Sequence, residues 1–233
     1  MAGPGLDGLV QENYTKNNIM KKVLILFSIL VSSFSIASGQ SCMQYGQNYF
    51  GCGIPSTEFE FLRARSVNQG AQIQSNWCWA ACIQMVLNYH GLYVSQLDAV
   101  KKIYGSPYVN RPANERQILH ALNGWAPDSR GRVSGINAYG GYTSVQEIIN
   151  GLSRKWPLIV GLSNPSGGIG HAYVLTGIYY SNQYDYYGNI IGVLPDKVVL
   201  RDPWPQNPSK QEMSWVEFQQ RAIMGIKVWV TRY

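Results

Sequence analysis

Charge is scarce in this sequence: Asp, Glu, Lys and Arg make up 14% of 233 residues, and the net +6 is not gathered into a block. The densest basic stretches are Lys21-Lys22, Lys101-Lys102 and Arg130-Gly-Arg132, which gives nucleic-acid binding little support. Histidine is rarer still. The three histidines are widely spaced and the four cysteines lack ligand spacing, so neither a metal nor another cofactor is expected. No internal repeat or low-complexity segment is present, and the apolar run Val23–Val31 is too short to span a bilayer comfortably. What the chain does have is 45% apolar residues, enough for one sizeable core but not clearly for two. Sixteen tyrosines and seven tryptophans set against so little charge suggest the neutral, aromatic surface of an extracellular protein.

Targeting is legible. Met20-Lys21-Lys22 precedes the run Val23–Val31, and small residues ending in Ala37-Ser38-Gly39 follow, the layout of a signal peptide over residues 20–39. Residues 1–19 then form an upstream extension, with Met20 competing with Met1 as the start. The expected fate is export, secreted or held at the periplasm or cell surface, with no stable membrane insertion once the signal is cleaved. The alternative is a lipoprotein anchored through Cys42, but Gly39-Gln40-Ser41 does not make the apolar lipobox that this requires. In an oxidising compartment Cys42 and Cys52, which flank a Gly- and Tyr-rich stretch, are candidates for a loop-closing disulfide. Cys78 and Cys82 share a helix face at a spacing poorly suited to a disulfide, and Cys82 reads as a small packing residue.

The chain is organised around residues 72–91. Ser75 and Asn76 stand before a run of helix formers and Gly91 follows it, predicting a helix over 77–90 with Cys78 in its first turn. There the unsatisfied N–H groups and the positive end of the helix dipole favour thiolate over thiol. Residues 40–70 read as a mostly irregular N-terminal arm or short pro-segment, ordered only at Phe59–Leu62. Further helices are expected from Ser95 to about Tyr104, from Ala113 to Asn123, and from Ser144 to near Arg154, two of them opened by capping-box patterns. The period then changes. Trp156–Leu162 is a short apolar run after a proline; His171–Tyr180, Ile190–Leu194, Lys197–Leu200 and Ile226–Thr231 read as strands, the second and third of these four separated by a turn at Pro195-Asp196, and Ser214 opens a short helix. Helices first and antiparallel strands afterwards imply an α+β fold, with residues 71–233 as the main domain.

Nucleophilic thiol chemistry needs a thiolate, an imidazole to carry its proton, a group to orient that imidazole and donors for the oxyanion. Cys78 heads a helix, His171 begins a strand after the Gly-rich stretch 164–170, and Asp202 ends another strand with Trp204 two residues beyond. The rival histidines sit less well: His90 closes the central helix roughly 18 Å from Cys78 at ~1.5 Å per residue, and His120 lies mid-helix among apolar neighbours. Gln72 precedes Cys78 by six residues, with Gln74 as its competitor, and Asp202 before proline also suits a turn cap. The stretch Tyr179–Tyr187 is either a substrate-facing loop or a solvated hairpin.

Gln72 followed by Cys78-Trp-Ala, the longer run Asn76-Trp-Cys-Trp-Ala-Ala-Cys82 leading to Met85-Val-Leu-Asn-Tyr-His-Gly91, the segment Gly170-His-Ala-Tyr-Val-Leu-Thr-Gly177 and Asp202-Pro-Trp-Pro205 together resemble the papain-like cysteine peptidases. The likeness is to their compact bacterial branch, the plant-pathogen effector peptidases and the bacteriocin-leader-processing peptidases, and it covers residues 70–205. It implies a papain-like fold: a helical first half carrying the nucleophile on a central helix, packed on an antiparallel sheet from the second half. It implies Cys78 as nucleophile, His171 as general base and acid, Asp202 as orienter and Gln72 with the Cys78 N–H as oxyanion donors. It implies further that Trp204 shields the His171–Asp202 pair, that the substrate is a protein or peptide and that no metal is required. Two features depart from papain: a shorter Cys-to-His interval, and Asp in place of Asn as the orienter, which triad logic tolerates. The same triad serves acyl transfer or amide hydrolysis, and a binding module without turnover is the non-enzyme alternative.

Overall fold

The computed structural model describes residues 41–55, 70–141, 144–166 and 170–232. The signal-peptide expectation, the upstream extension and Phe59–Leu62 lie outside them. Helix α1 (Cys78–Tyr89) is the centre of the fold because it has no wet face: Trp79 through Ile83 are buried in succession, then Met85, Val86 and Leu87. A helix apolar over most of its surface, with only Gln84 and Asn88 polar and half-buried, must be largely enclosed. At about 1.5–3 kcal/mol for each large apolar side chain removed from water, α1 contributes more burial than its length suggests. It ends through Gly91, whose φ of 79° lets the Leu92 N–H turn back to the Leu87 carbonyl.

Three further helices open with the local chemistry that the sequence signals. In α2 (Gln96–Tyr104), α3 (Glu115–Leu122) and α4 (Val145–Ser153), the residue before the helix and the third residue within it bond each other's backbone: Ser95 with Asp98, Asn114 with Gln117, and Ser144 with Glu147. For α3 the expected start at Ala113 lies slightly early, because Asn114 is the cap. The short helix α5 (Trp215–Arg221) follows Ser214 as expected.

Nine strands among the described residues pair antiparallel in one sheet: β1 (Cys42–Gly46), β2 (Tyr49–Gly53), β3 (Gly124–Pro127), β4 (Val133–Gly140), β5 (Leu158–Leu162), β6 (His171–Tyr184), β7 (Ile190–Arg201), β8 (Lys210–Ser214) and β9 (Ala222–Arg232). The order is β1-β2-β6-β5-β9-β4-β3, with β7 on the other edge of β6 and β8 beyond it. Alternation along the strands divides the core. Ile159, Ala172, Val174, Ile226 and Val228 face α1, α2 and α3, whereas Leu158, Val160, Leu162, Tyr173 and Leu175 face α4 and α5. No helix of the described residues is long and apolar enough to cross a membrane.

Three expectations are corrected, and one left open is decided. The stretch after residue 40 is not irregular: β1 and β2 form a hairpin closed by a Cys42–Cys52 disulfide, and β2 joins the sheet through β6. The first half also contains β3 and β4, hidden in the sequence by Pro127, Gly131 and Gly135. The Asp128 carboxylate draws that turn together by accepting from the Arg130 and Arg132 backbones and from the Arg132 side chain. The two segments expected around Pro195-Asp196 are one strand, β7, whose register against β6 shifts at Tyr179 and Tyr180; a proline in a strand is accommodated at such an irregularity. Finally, Tyr179–Tyr187 belongs to the β6–β7 hairpin. Its turn is organised by Asp185, which accepts from the Tyr187 and Asn189 backbones. Its tip lies thirteen residues along β6 from His171, roughly 40 Å of strand.

Candidate active site

Cys78 is the first residue of α1. Its neighbours Trp77 and Trp79 are buried, and their indole N–H groups donate to the Val109 and Arg111 carbonyls, so the helix start is pinned on both sides of the thiol to the α2–α3 connection. Unlike α2, α3 and α4, α1 has no side-chain cap and no acidic residue in its first turn. Ser75 and Asn76, expected as caps, instead bond Asn110. Intrahelical bonding begins at the Ala81 N–H, which reaches the Trp77 carbonyl, so the first-turn amides stay clear of a competing carboxylate.

His171 is delivered by the sheet. It opens β6 opposite Leu162, the end of β5, where the chain passes so close that a Cβ on Gly170 would sit 2.7 Å from the Leu162 carbonyl oxygen. Only glycine fits there. Asp202 comes from the other edge: β7 runs antiparallel to β6 with Arg201 beside Val174, so the residue after β7 falls near the start of β6. His171 Nε2 lies 2.7 Å from Asp202 Oδ1, and the Cys78 thiol is close enough to the same imidazole to act on its charge. The structure thus brings Cys78, His171 and Asp202 together.

The Asp202 side chain is fully buried yet well satisfied. Oδ1 also accepts from the Trp204 N–H at 2.8 Å, and Oδ2 accepts from Asn207 Nδ2 at 2.7 Å and Gln211 Nε2 at 2.8 Å. Burial works against the charge, but these donors, led by His171, hold the carboxyl below its ordinary value. For His171 burial likewise opposes the charged form, yet the bonds to Asp202 and Cys78 and their negative charge raise it from 6.5 to about 9. The imidazolium is therefore the favoured form at neutral pH. The ring is held edge-on to Tyr173, centroids 4.6 Å apart, while Trp204 stands at 6.4 Å and is itself 37% exposed. Cys82, one turn below Cys78, is fully buried; burial, then the charges of Cys78 and Asp202, push its thiol well up, which suits a packing residue.

Gln72 is buried beside this group. Its backbone N–H donates to Pro203, and its side-chain amide donates to the Gln74 and Ser75 carbonyls at 2.9 and 3.0 Å. An oxyanion would therefore compete with two loop carbonyls for the Gln72 protons. A cavity of about 270 Å³ opens beside His171, walled by Leu162, Ser163, Asn164, Tyr173, Trp204, Asn207 and Arg221. Asn207, Gln211 and Tyr173 are site residues that the sequence reading missed. The β6 alternation that places Tyr173 on the same side as His171 is the one available signal; nothing local points to the other two.

A thiol, an imidazole and a buried carboxylate thus meet where a helix start reaches a sheet edge. The chain belongs to the Peptidase_C39 like family, whose model matches residues 62–227, and it is a cysteine-type peptidase. Two solved structures are similar to it. The peptidase domain of Streptococcus ComA, described as a bi-functional ABC transporter involved in a quorum-sensing pathway, is 15% identical over 70% of this chain and 96% of that one, with a TM-score of 0.46. The peptidase domain of Streptococcus mutans ComA is 14% identical over 70% of this chain and 99% of that one, with a TM-score of 0.40. No curated protein matches.

Proposed function

We propose that the chain is an exported endopeptidase that cleaves protein or peptide substrates through an acyl-enzyme on Cys78. The observation that carries this reading is the imidazole of His171, held 2.7 Å from Asp202 with Cys78 beside it, an arrangement that favours the imidazolium. The Cys78 thiolate attacks the peptide carbonyl. The oxyanion is held by the Cys78 N–H and by Gln72, which gives up one of its loop carbonyls for a bond to a charged acceptor, the stronger of the two kinds. His171 donates its proton to the leaving amine and then takes one from the water that releases the acyl group. Asp202 keeps the ring oriented throughout, and Trp204 covers the outer side of the pair. The cavity beside His171 receives the residue on the leaving side, since that is the side on which the imidazolium delivers its proton.

Export is supported by the signal-like residues 20–39 and by the Cys42–Cys52 disulfide, a bond that persists in oxidising compartments. The test is labelling of the folded, reduced protein with an epoxysuccinyl thiol inhibitor, followed by a peptide-library screen. Labelling of Cys78 that Cys78→Ala and His171→Ala abolish, together with peptide turnover, is expected. An unreactive Cys78 in folded protein refutes the peptidase mechanism, and labelling without turnover of any peptide points to acyl transfer or a binding module.

A further inference from the structure

Gln96 is a polar side chain at the first position of α2, and it is completely buried. Its hydrogen bonds go to three partners. Its Oε1 accepts from the Ile73 N–H at 3.0 Å, while its Nε2 donates to the Ala71 carbonyl at 2.8 Å and to Gln84 Oε1 on α1 at 3.0 Å. Ala71 and Ile73 are the residues on either side of Gln72. One amide therefore grips both peptide groups that flank Gln72 and ties them to the helix that carries Cys78. The middle residue is fixed from the opposite direction, because the Gln72 N–H donates to the carbonyl of Pro203, next to Asp202. The segment 71–73 is thus a bridge between the helical layer and the sheet edge.

We infer that Gln96 is a positioning residue for the oxyanion side of the reaction: it sets where the Gln72 amide stands relative to Cys78 without touching substrate. The inference rests on the role proposed for Gln72. A buried amide with donors and acceptor all engaged is costly to replace, and its bonds reach the 71–73 backbone and α1 rather than His171 or Asp202. Loosening it shifts an oxyanion donor by a fraction of an ångström, which matters more to a transition state than to bound substrate. The thiol–imidazole pair, anchored by Trp77, Trp79 and Asp202, stays in place.

The experiment compares wild type with Gln96→Met, similar in volume but unable to hydrogen bond, and Gln96→Asn, one methylene shorter and unable to reach both flanking peptide groups. Each is assayed with a fluorogenic peptide taken from the library screen, with the aldehyde of the same peptide sequence, whose hemithioacetal oxygen occupies the oxyanion position, and with iodoacetamide. For Gln96→Met the expectation is a tenfold to hundredfold fall in kcat with KM within twofold, an aldehyde Ki rising in step, and a Cys78 alkylation rate within twofold of wild type. Gln96→Asn falls between, and it carries the test should the methionine variant fail to fold. A variant whose kcat and aldehyde affinity match wild type overturns the inference, as does an alkylation rate that falls in proportion to kcat. A wild-type protein that neither cleaves peptides nor binds the aldehyde overturns the peptidase mechanism itself, a separate outcome read on wild type alone.

Discussion

Replacing Asp202 with asparagine separates the two jobs of that side chain, because the four groups around it are not equally adaptable. On the Oδ1 side stand His171 Nε2 and the Trp204 backbone N–H, which present donors to it. On the Oδ2 side stand the Asn207 and Gln211 amides, which can turn over and present oxygen instead. The substituted amide therefore places its NH2 toward Asn207 and Gln211 and keeps its carbonyl on His171, so orientation survives and only the charge is lost. The rise of His171 from 6.5 to about 9 corresponds to about 3 kcal/mol favouring the imidazolium, shared between Asp202 and Cys78 after burial has been overcome. Without the carboxylate a large part of that support disappears, and burial then pulls the imidazole back toward its ordinary range. The assay is kcat/KM against pH from 5 to 10. Wild type loses activity on the alkaline side near pH 9; Asp202→Asn loses it more than one unit lower, with roughly tenfold less turnover at pH 7.5. Asp202→Leu, which removes the acceptor as well, falls by at least a further tenfold. An Asp202→Asn profile whose alkaline limb stays near 9 refutes the assignment of the His171 shift to Asp202.

The same shift governs stability. Because the folded value of His171 lies above the unfolded one, its contribution is fully present below pH 6.5 and is lost as pH rises through 9; urea melts across that window should show a fall that His171→Gln flattens. Gln72→Ala removes one oxyanion donor and should lower kcat about a hundredfold with KM nearly constant, whereas an unchanged kcat would leave the oxyanion to the helix amides alone. Iodoacetamide should modify one thiol in the folded protein and two after unfolding, since Cys82 is sealed in the core; two fast-reacting thiols in native protein would contradict that packing. Cys42→Ser with Cys52→Ser releases a loop of sequence separation 10, which by chain entropy should cost about 3 kcal/mol in denaturant melts while leaving kcat within a few fold.

Much of this molecule is written in short-range patterns. The capping boxes at Ser95 and Ser144, the apolar succession after Cys78, Gly91 as the left-handed stop and the β-rich run after His171 each depend on neighbours within a turn or a strand. Cys78 at a helix start and His171 at a strand start are likewise local facts, which is why they could be named from sequence. Strands with glycine and proline in them, β3 and β4, and the hairpin around Cys42 and Cys52 were not legible, because their order comes from partners elsewhere in the sheet: β4 from β9, and β2 from β6.

The linear chain determined which groups are available for thiol chemistry, since residue type and local helix or strand setting suffice to nominate them. Only the tertiary structure decided how they are held. Asp202 meets His171 because two antiparallel strands lie side by side, Asn207 and Gln211 close around its far oxygen because a β7–β8 hairpin folds over, and Gln96 reaches the flanks of Gln72 from another helix. Those contacts span 31, 5, 9 and up to 25 residues. No helical or strand period links such positions, so their meeting is a property of how the layers pack.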